Sequence, residues 1–114
     1  MIIQNITQNI IIAHKAQVAN TFFSRLKGLL GTKNLEAGRG LVIRSCSSIH
    51  TIGMQYALDV LFLDEKNKVL KIVLNLPPGR LSLCSHSSYV VELPAGVIEA
   101  TGTAVGDRLA IIEA

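Results

Sequence analysis

Asp59-Val-Leu-Phe-Leu-Asp64, Glu65-Lys-Asn-Lys68 and Val69-Leu-Lys-Ile-Val-Leu-Asn-Leu76 form the stretch on which the fold turns. Two apolar runs rich in β-favouring residues flank a short polar segment, the pattern of a β-hairpin. Pro77-Pro78-Gly79 ends the second run, because proline cannot donate to a strand ladder. Working outward toward the C-terminus, Tyr89-Val-Val-Glu-Leu93 reads as a further strand closed by Pro94-Ala-Gly96. Residues 97–101 then read as one helical turn before Gly102, and Gly106-Asp107 turns the chain into a last strand, Arg108-Leu-Ala-Ile-Ile112. Toward the N-terminus, residues 1–6 and 9–15 are isoleucine-rich and read as two short strands. Thr21 caps a helix over about residues 21–30, in which Phe22, Phe23, Leu26, Leu29 and Leu30 recur at helical spacing and Gly31 ends the element. Residues 32–40 read as loop and Leu41-Val42-Ile43 as the start of another strand. The expectation is a mainly β fold, a small antiparallel barrel or sandwich of seven to eight short strands with one α-helix.

Length and composition agree with that reading. A chain of 114 residues is a single domain, 1–114, without repeat, low-complexity tract or linker. The scaling of surface with mass gives about 6,100 Å² folded against about 17,800 Å² unfolded, enough to bury a core. Ile, Leu and Val make up 37 of the 114 residues, which excludes intrinsic disorder and makes a disulfide framework unnecessary. No stretch is apolar enough for a signal-peptide core or a membrane span, so the expectation is a cytoplasmic protein with reduced thiols and no membrane insertion. The net charge of +3 is mild but uneven. Residues 15–44 hold six basic residues and one acid, whereas the rest holds five basic residues and seven acids. Aromatic residues do not interleave with the basic ones, which argues against nucleic acid; a small molecule or a protein with an acidic surface is the expected partner, met by Lys27, Lys33 and Arg39.

Five blocks carry a resemblance: Thr21-Phe-Phe-Ser-Arg-Leu-Lys-Gly-Leu-Leu-Gly31, Cys46-Ser-Ser-Ile-His-Thr-Ile-Gly-Met54, Leu58-Asp-Val-Leu-Phe-Leu-Asp64, Val91-Glu-Leu-Pro-Ala-Gly96 and Val105-Gly-Asp107. In this order and spacing they resemble the family known as domain of unknown function 192. The resemblance runs from about Ala19 to the C-terminus and implies a small mainly-β domain of bacteria and archaea, with no activity attached. Two departures stand out: Ala57 follows Tyr56 where the family commonly has proline, so no proline-fixed turn is expected there, and Gly53 and Gly79 stand where many relatives carry an aromatic residue, which leaves fewer bulky walls around a pocket.

The candidate ligand-binding residues are Arg25, His50, Thr51, Met54, Asp59 and Glu92. His50 offers a general base or a ligand near neutral pH, and equally fits a satisfied structural histidine. Asp59 precedes its strand beside the His50 block, while Asp64 next to the turn fits an ordinary turn aspartate. Arg25 lies on the inward helix face, where Glu92, between Val91 and Leu93, is its natural ion-pair partner. Cys46, His50, Cys84 and His86 make up the ligand set of a structural zinc site, although Cys46 and His50 would stand about 13 Å apart in an extended strand. The same residues could serve a Cys-His enzyme or a redox pair, yet neither cysteine sits on a glycine-rich elbow. The preferred expectation is a non-enzymatic binding module without a cofactor, zinc being the minor possibility; the alternative is a Cys/His enzyme or metal-binding protein.

Overall fold

The structure is a computed structural model and describes residues 1–19 and 34–113. The helix expected over 21–30 lies outside the described residues, and Arg25, Lys27 and Lys33 with it. The described chain runs β1 (Ile2–Asn5), β2 (Ile10–Ala13), β3 (Lys15–Ala19), β4 (Arg39–Arg44), β5 (Ser48–His50), β6 (Leu58–Leu63), β7 (Val69–Leu76), β8 (Leu81–Leu83), β9 (Tyr89–Pro94), α1 (Val97–Thr101) and β10 (Leu109–Ile112). Three sheets result: β10-β1-β2, β3-β4-β9-β6-β7, and the pair β5-β8. None closes into a barrel, so the fold is sandwich-like, and its 6102 Å² of accessible surface matches the area expected for its mass.

The hairpin that opened the reading is β6 and β7, paired antiparallel from Leu58↔Leu76 to Leu63↔Val69. Asn67 takes a left-handed φ of 65° in its turn, a conformation asparagine tolerates. The other long neighbour of β6 is β9, from Leu58↔Pro94 to Leu63↔Tyr89. All six residues of β6 are buried, which explains why its sequence is an almost continuous apolar run rather than an alternating one. Its two faces supply two cores. Leu61, Leu63, Val42, Val91 and Leu93 pack with Ile3, Ile12 and Leu109 of the three-stranded sheet. Val60, Phe62, Ile43 and Val90 pack on the opposite face with Ile49, Met54 and Cys46. Gly40 lies where β4 meets the first layer: a Cβ there would stand 3.1 Å from Ala13 Cβ and 3.3 Å from Leu93 Cδ2.

Three elements extend the expected list, and one pairing departs from it. β3 continues almost directly from β2, so one predicted strand over 9–15 is two strands divided at His14. It pairs with β4 in parallel, from Lys15↔Arg39 to Ala19↔Ile43, which requires the long crossover through residues 20–38. β5 and β8 are three residues each and pair only with one another. Among the described residues no helix is long and apolar enough to cross a membrane. Tyr89 locks the hairpin turn: its hydroxyl donates to Asn67 Oδ1 at 2.9 Å. Burial, reinforced by the Asp64 charge, pushes its phenol up to about 12.

Candidate functional site

His50 belongs to the small β5-β8 layer. Ser45, with a left-handed φ of 51°, ends β4 and turns the chain toward β5. The turn is pinned to residues 84–88: Cys46 N donates to Ser88 O (3.3 Å), Cys84 N to Ser47 O (2.8 Å), and Ser87 Oγ to Cys46 O (3.2 Å). Beyond it, His50 stands opposite Leu81. A shallow cavity of about 310 Å³ opens here, lined by Ser45, Cys46, Ser47, Ser48, Ile49, His50 and Leu81. Ser45, Ser47, Ser48 and Leu81 are exposed and His50 half-buried, while the Cys46 thiol donates to Ser48 O at 3.0 Å. The lining therefore offers hydroxyls, an imidazole and an apolar wall.

Thr51 and Met54 follow His50 in the chain and are both buried. Thr51 is fully buried, and its hydroxyl donates to Pro77 O (2.6 Å) while accepting from Arg80 N (2.9 Å). Its backbone donates to Arg80 O (2.8 Å) and accepts from Gly79 N (3.0 Å). The pair thus carries the ladder one step beyond His50↔Leu81 and fixes the turn at 77–80 that sequence reading took only as a strand stop. Met54 is part of the second core.

Asp59 sits in a second concavity, of about 330 Å³, lined by Asp59, Leu74, Asn75, Ala95, Gly96 and Glu99. It is 1% exposed, and both carboxylate oxygens are committed. Oδ1 accepts from Asn75 N (2.9 Å), and Oδ2 from Gly96 N (2.9 Å) and Ile98 N (3.1 Å). Gly96 has φ 98° and no capping side chain of its own, so Asp59 caps α1 from a distant strand. Glu92 is fully buried in central strand β9, opposite Leu41 and Val60. The structure therefore gathers His50 and Cys46 on one cavity, Asp59 on another, and buries Thr51, Met54 and Glu92. Among the described residues no three His, Cys, Asp or Glu side chains are grouped as a metal site needs, and neither Cys46 nor Cys84 forms a disulfide. His86 is exposed, and the Arg39 guanidinium is shared with Glu36 at 3.2 Å.

One polar cluster escaped the sequence reading. Buried Asn5 donates from Nδ2 to Asp107 Oδ2 (3.0 Å) and Thr103 Oγ1 (3.2 Å), and its Oδ1 accepts from Gln8 N (3.0 Å). Gln8 Nε2 and Ala104 N also donate to Asp107 Oδ2, at 3.1 and 2.9 Å. Burial alone would raise the Asp107 carboxyl, but the bonds from Asn5, Ala104 and Gln8 outweigh it and hold the group below the usual range. Asp107 reads as turn chemistry in sequence, and nothing local links it to Asn5; a carboxylate next to a turn glycine was the one available signal.

Three of the five sequence blocks meet in these geometries: the Cys46–Met54 block builds the first cavity, and the Asp59 and Pro94-Ala-Gly96 blocks build the second. Residues 3–111 match DUF192, described as "Uncharacterized ACR". The chain belongs to that family. A UPF0127 protein of Pyrococcus furiosus is 34% identical over 109 residues, covering 92% of this chain and 93% of that one. A UPF0127 protein of Thermococcus sibiricus is 28% identical over 92% of this chain and 71% of its own length. Among solved structures, a protein of unknown function from Novosphingobium aromaticivorans superposes with a TM-score of 0.80 at 18% identity, covering 96% of this chain and 82% of that one. At that identity the likeness concerns the fold.

Proposed function

We propose that this DUF192 chain is a non-enzymatic binding module that takes a small molecule, or a short segment of a protein partner, in the cavity around His50. The observation that carries the reading is the concave surface itself, where three exposed serines and an apolar wall surround the His50 edge of β5. Asp59 and Thr51 spend their side chains on backbone partners, whereas the cavity presents exposed Ser45, Ser47 and Ser48 with half-buried His50. A concave site with an apolar wall and a few convergent polar groups is the usual form of a ligand site. A catalytic triad would need a carboxylate to orient His50; among the described residues no Asp or Glu lines this cavity, and Asp59 is committed to capping α1. A cytoplasmic setting suits two cysteines that form no disulfide.

The test is a fragment screen on isotope-labelled protein, read by backbone amide shifts, in the wild type and in His50→Ala. The expected result is a set of fragments that shift the amides of 45–50 and Leu81 and lose that effect in the variant, which stays folded. Fragments that gather elsewhere, or none that binds, would overturn the reading.

A further inference from the structure

The charge map around the His50 cavity narrows the ligand. All eight acidic residues lie at 36, 59, 64, 65, 92, 99, 107 and 113, so the segments 37–58 and 66–91, which include every lining residue, contain no Asp or Glu. The same segments carry Arg39, Arg44, Lys66, Lys68, Lys71 and Arg80, besides His50 and His86. Two of these cations adjoin the lining in sequence: exposed Arg44 precedes Ser45, although it stands opposite Tyr89 and its charge acts on that phenol, and exposed Arg80 precedes Leu81. Arg80 is the better placed, because its backbone is held at both N and O by Thr51, next to the His50↔Leu81 pair. A third cation reaches the same layer from β7, where Lys71 Nζ donates to Leu83 O at 2.8 Å. The second cavity has the opposite character, with Asp59 and Glu99 in its lining and no cation among the described residues that line it.

Building on the binding reading above, we infer that the His50 cavity is a site for a small oxyanion, a phosphate or carboxylate group. Serine hydroxyls donate to anionic oxygens, and an arginine fork adds charge and direction. The field of an acid-free layer raises the local anion concentration, and it does so without a resident metal ion.

The experiment is a titration of the labelled full chain with inorganic phosphate and, separately, acetate, with chloride holding ionic strength constant because exposed charges are screened. The expected result is saturable shifts at 45–50 and Leu81 with at least one of the two anions, while Asn75, Gly96 and Glu99 stay unmoved. The anion that saturates identifies the group, phosphoryl or carboxyl. Arg80→Gln should raise the apparent Kd about tenfold, the scale of one lost charge-assisted hydrogen bond, without moving the thermal midpoint. Linear shifts scattered over the lysines with both anions would overturn the inference, as would an unchanged Kd in Arg80→Gln. If both anions fail while neutral fragments still occupy the cavity, the oxyanion assignment falls and the binding reading stands; if nothing binds there, both fall.

Discussion

The two cavities hold similar volumes, about 310 and 330 Å³, yet they handle polar groups in opposite ways. Around Asp59 the carboxylate is buried and its oxygens bind three backbone N–H groups from β7 and the start of α1. Around His50 the side chains that could bind a ligand stand at the surface, on a layer held together by backbone bonds and by the Thr51 hydroxyl. The difference separates polar residues that hold the fold from polar residues, Ser45, Ser47 and Ser48, that stand exposed on it. A candidate residue of either kind looks alike in sequence, and only its hydrogen-bond partners tell the two apart.

Substitutions sharpen this comparison in descending order of expected effect. Asp59→Ala leaves three N–H groups without their acceptor, and denaturant unfolding should show a loss of about 3–5 kcal/mol. A loss under about 1 kcal/mol would mean that the carboxylate is not structural. Asp107→Asn removes the charge that three donors converge on and should cost about 2 kcal/mol at neutral pH. The pH dependence follows from the sign of the shift. Because the folded Asp107 carboxyl lies below its ordinary value of 3.8, its contribution is present above that pH and is lost as pH falls through the folded value. Asp64 acts in the same direction, held down first by the bond from Lys68 N and also by that from Lys66 N. Stability measured against pH should therefore fall on the acid side, and Asp107→Asn should flatten that fall; an identical acid limb would contradict the network.

Thr51→Val keeps the shape but removes the hydroxyl that ties Pro77 O and Arg80 N, and should cost about 1–2 kcal/mol. Amide exchange at 77–80 would accelerate with it. His50 is half-buried, and His50→Ala should change stability by less than about 1 kcal/mol, well below the loss in Asp59→Ala. A His50 variant that lost several kcal/mol would move His50 into the structural class and erase the contrast.

The long hairpin was legible because β6 and β7 are apolar runs with a polar turn, and local signals suffice for local pairings. The helical turn after Gly96 and the last strand after Asp107 were legible for the same reason. What stayed hidden depends on partners distant in the chain. β5 and β8 are three residues each, with one serine apiece, and exist because they pair with one another across residues 51–80. Asp59 caps α1 across nearly forty residues, and Asn5 meets Asp107 across 102. The candidate ligand set drew His50, Asp59 and Glu92 together because all three lie in the blocks that carry the family resemblance. Alternation along the strands separates them: Glu92 is buried within β9, and Asp59 turns to α1 while His50 opens to the surface.

The measurement that bears most directly on the account is the amide-shift footprint of phosphate and acetate on the full chain. The account predicts a saturable footprint confined to Ser45–His50 and Leu81, with the Asp59 cavity silent. A footprint centred on Asn75, Gly96 and Glu99, or none that saturates, would contradict it.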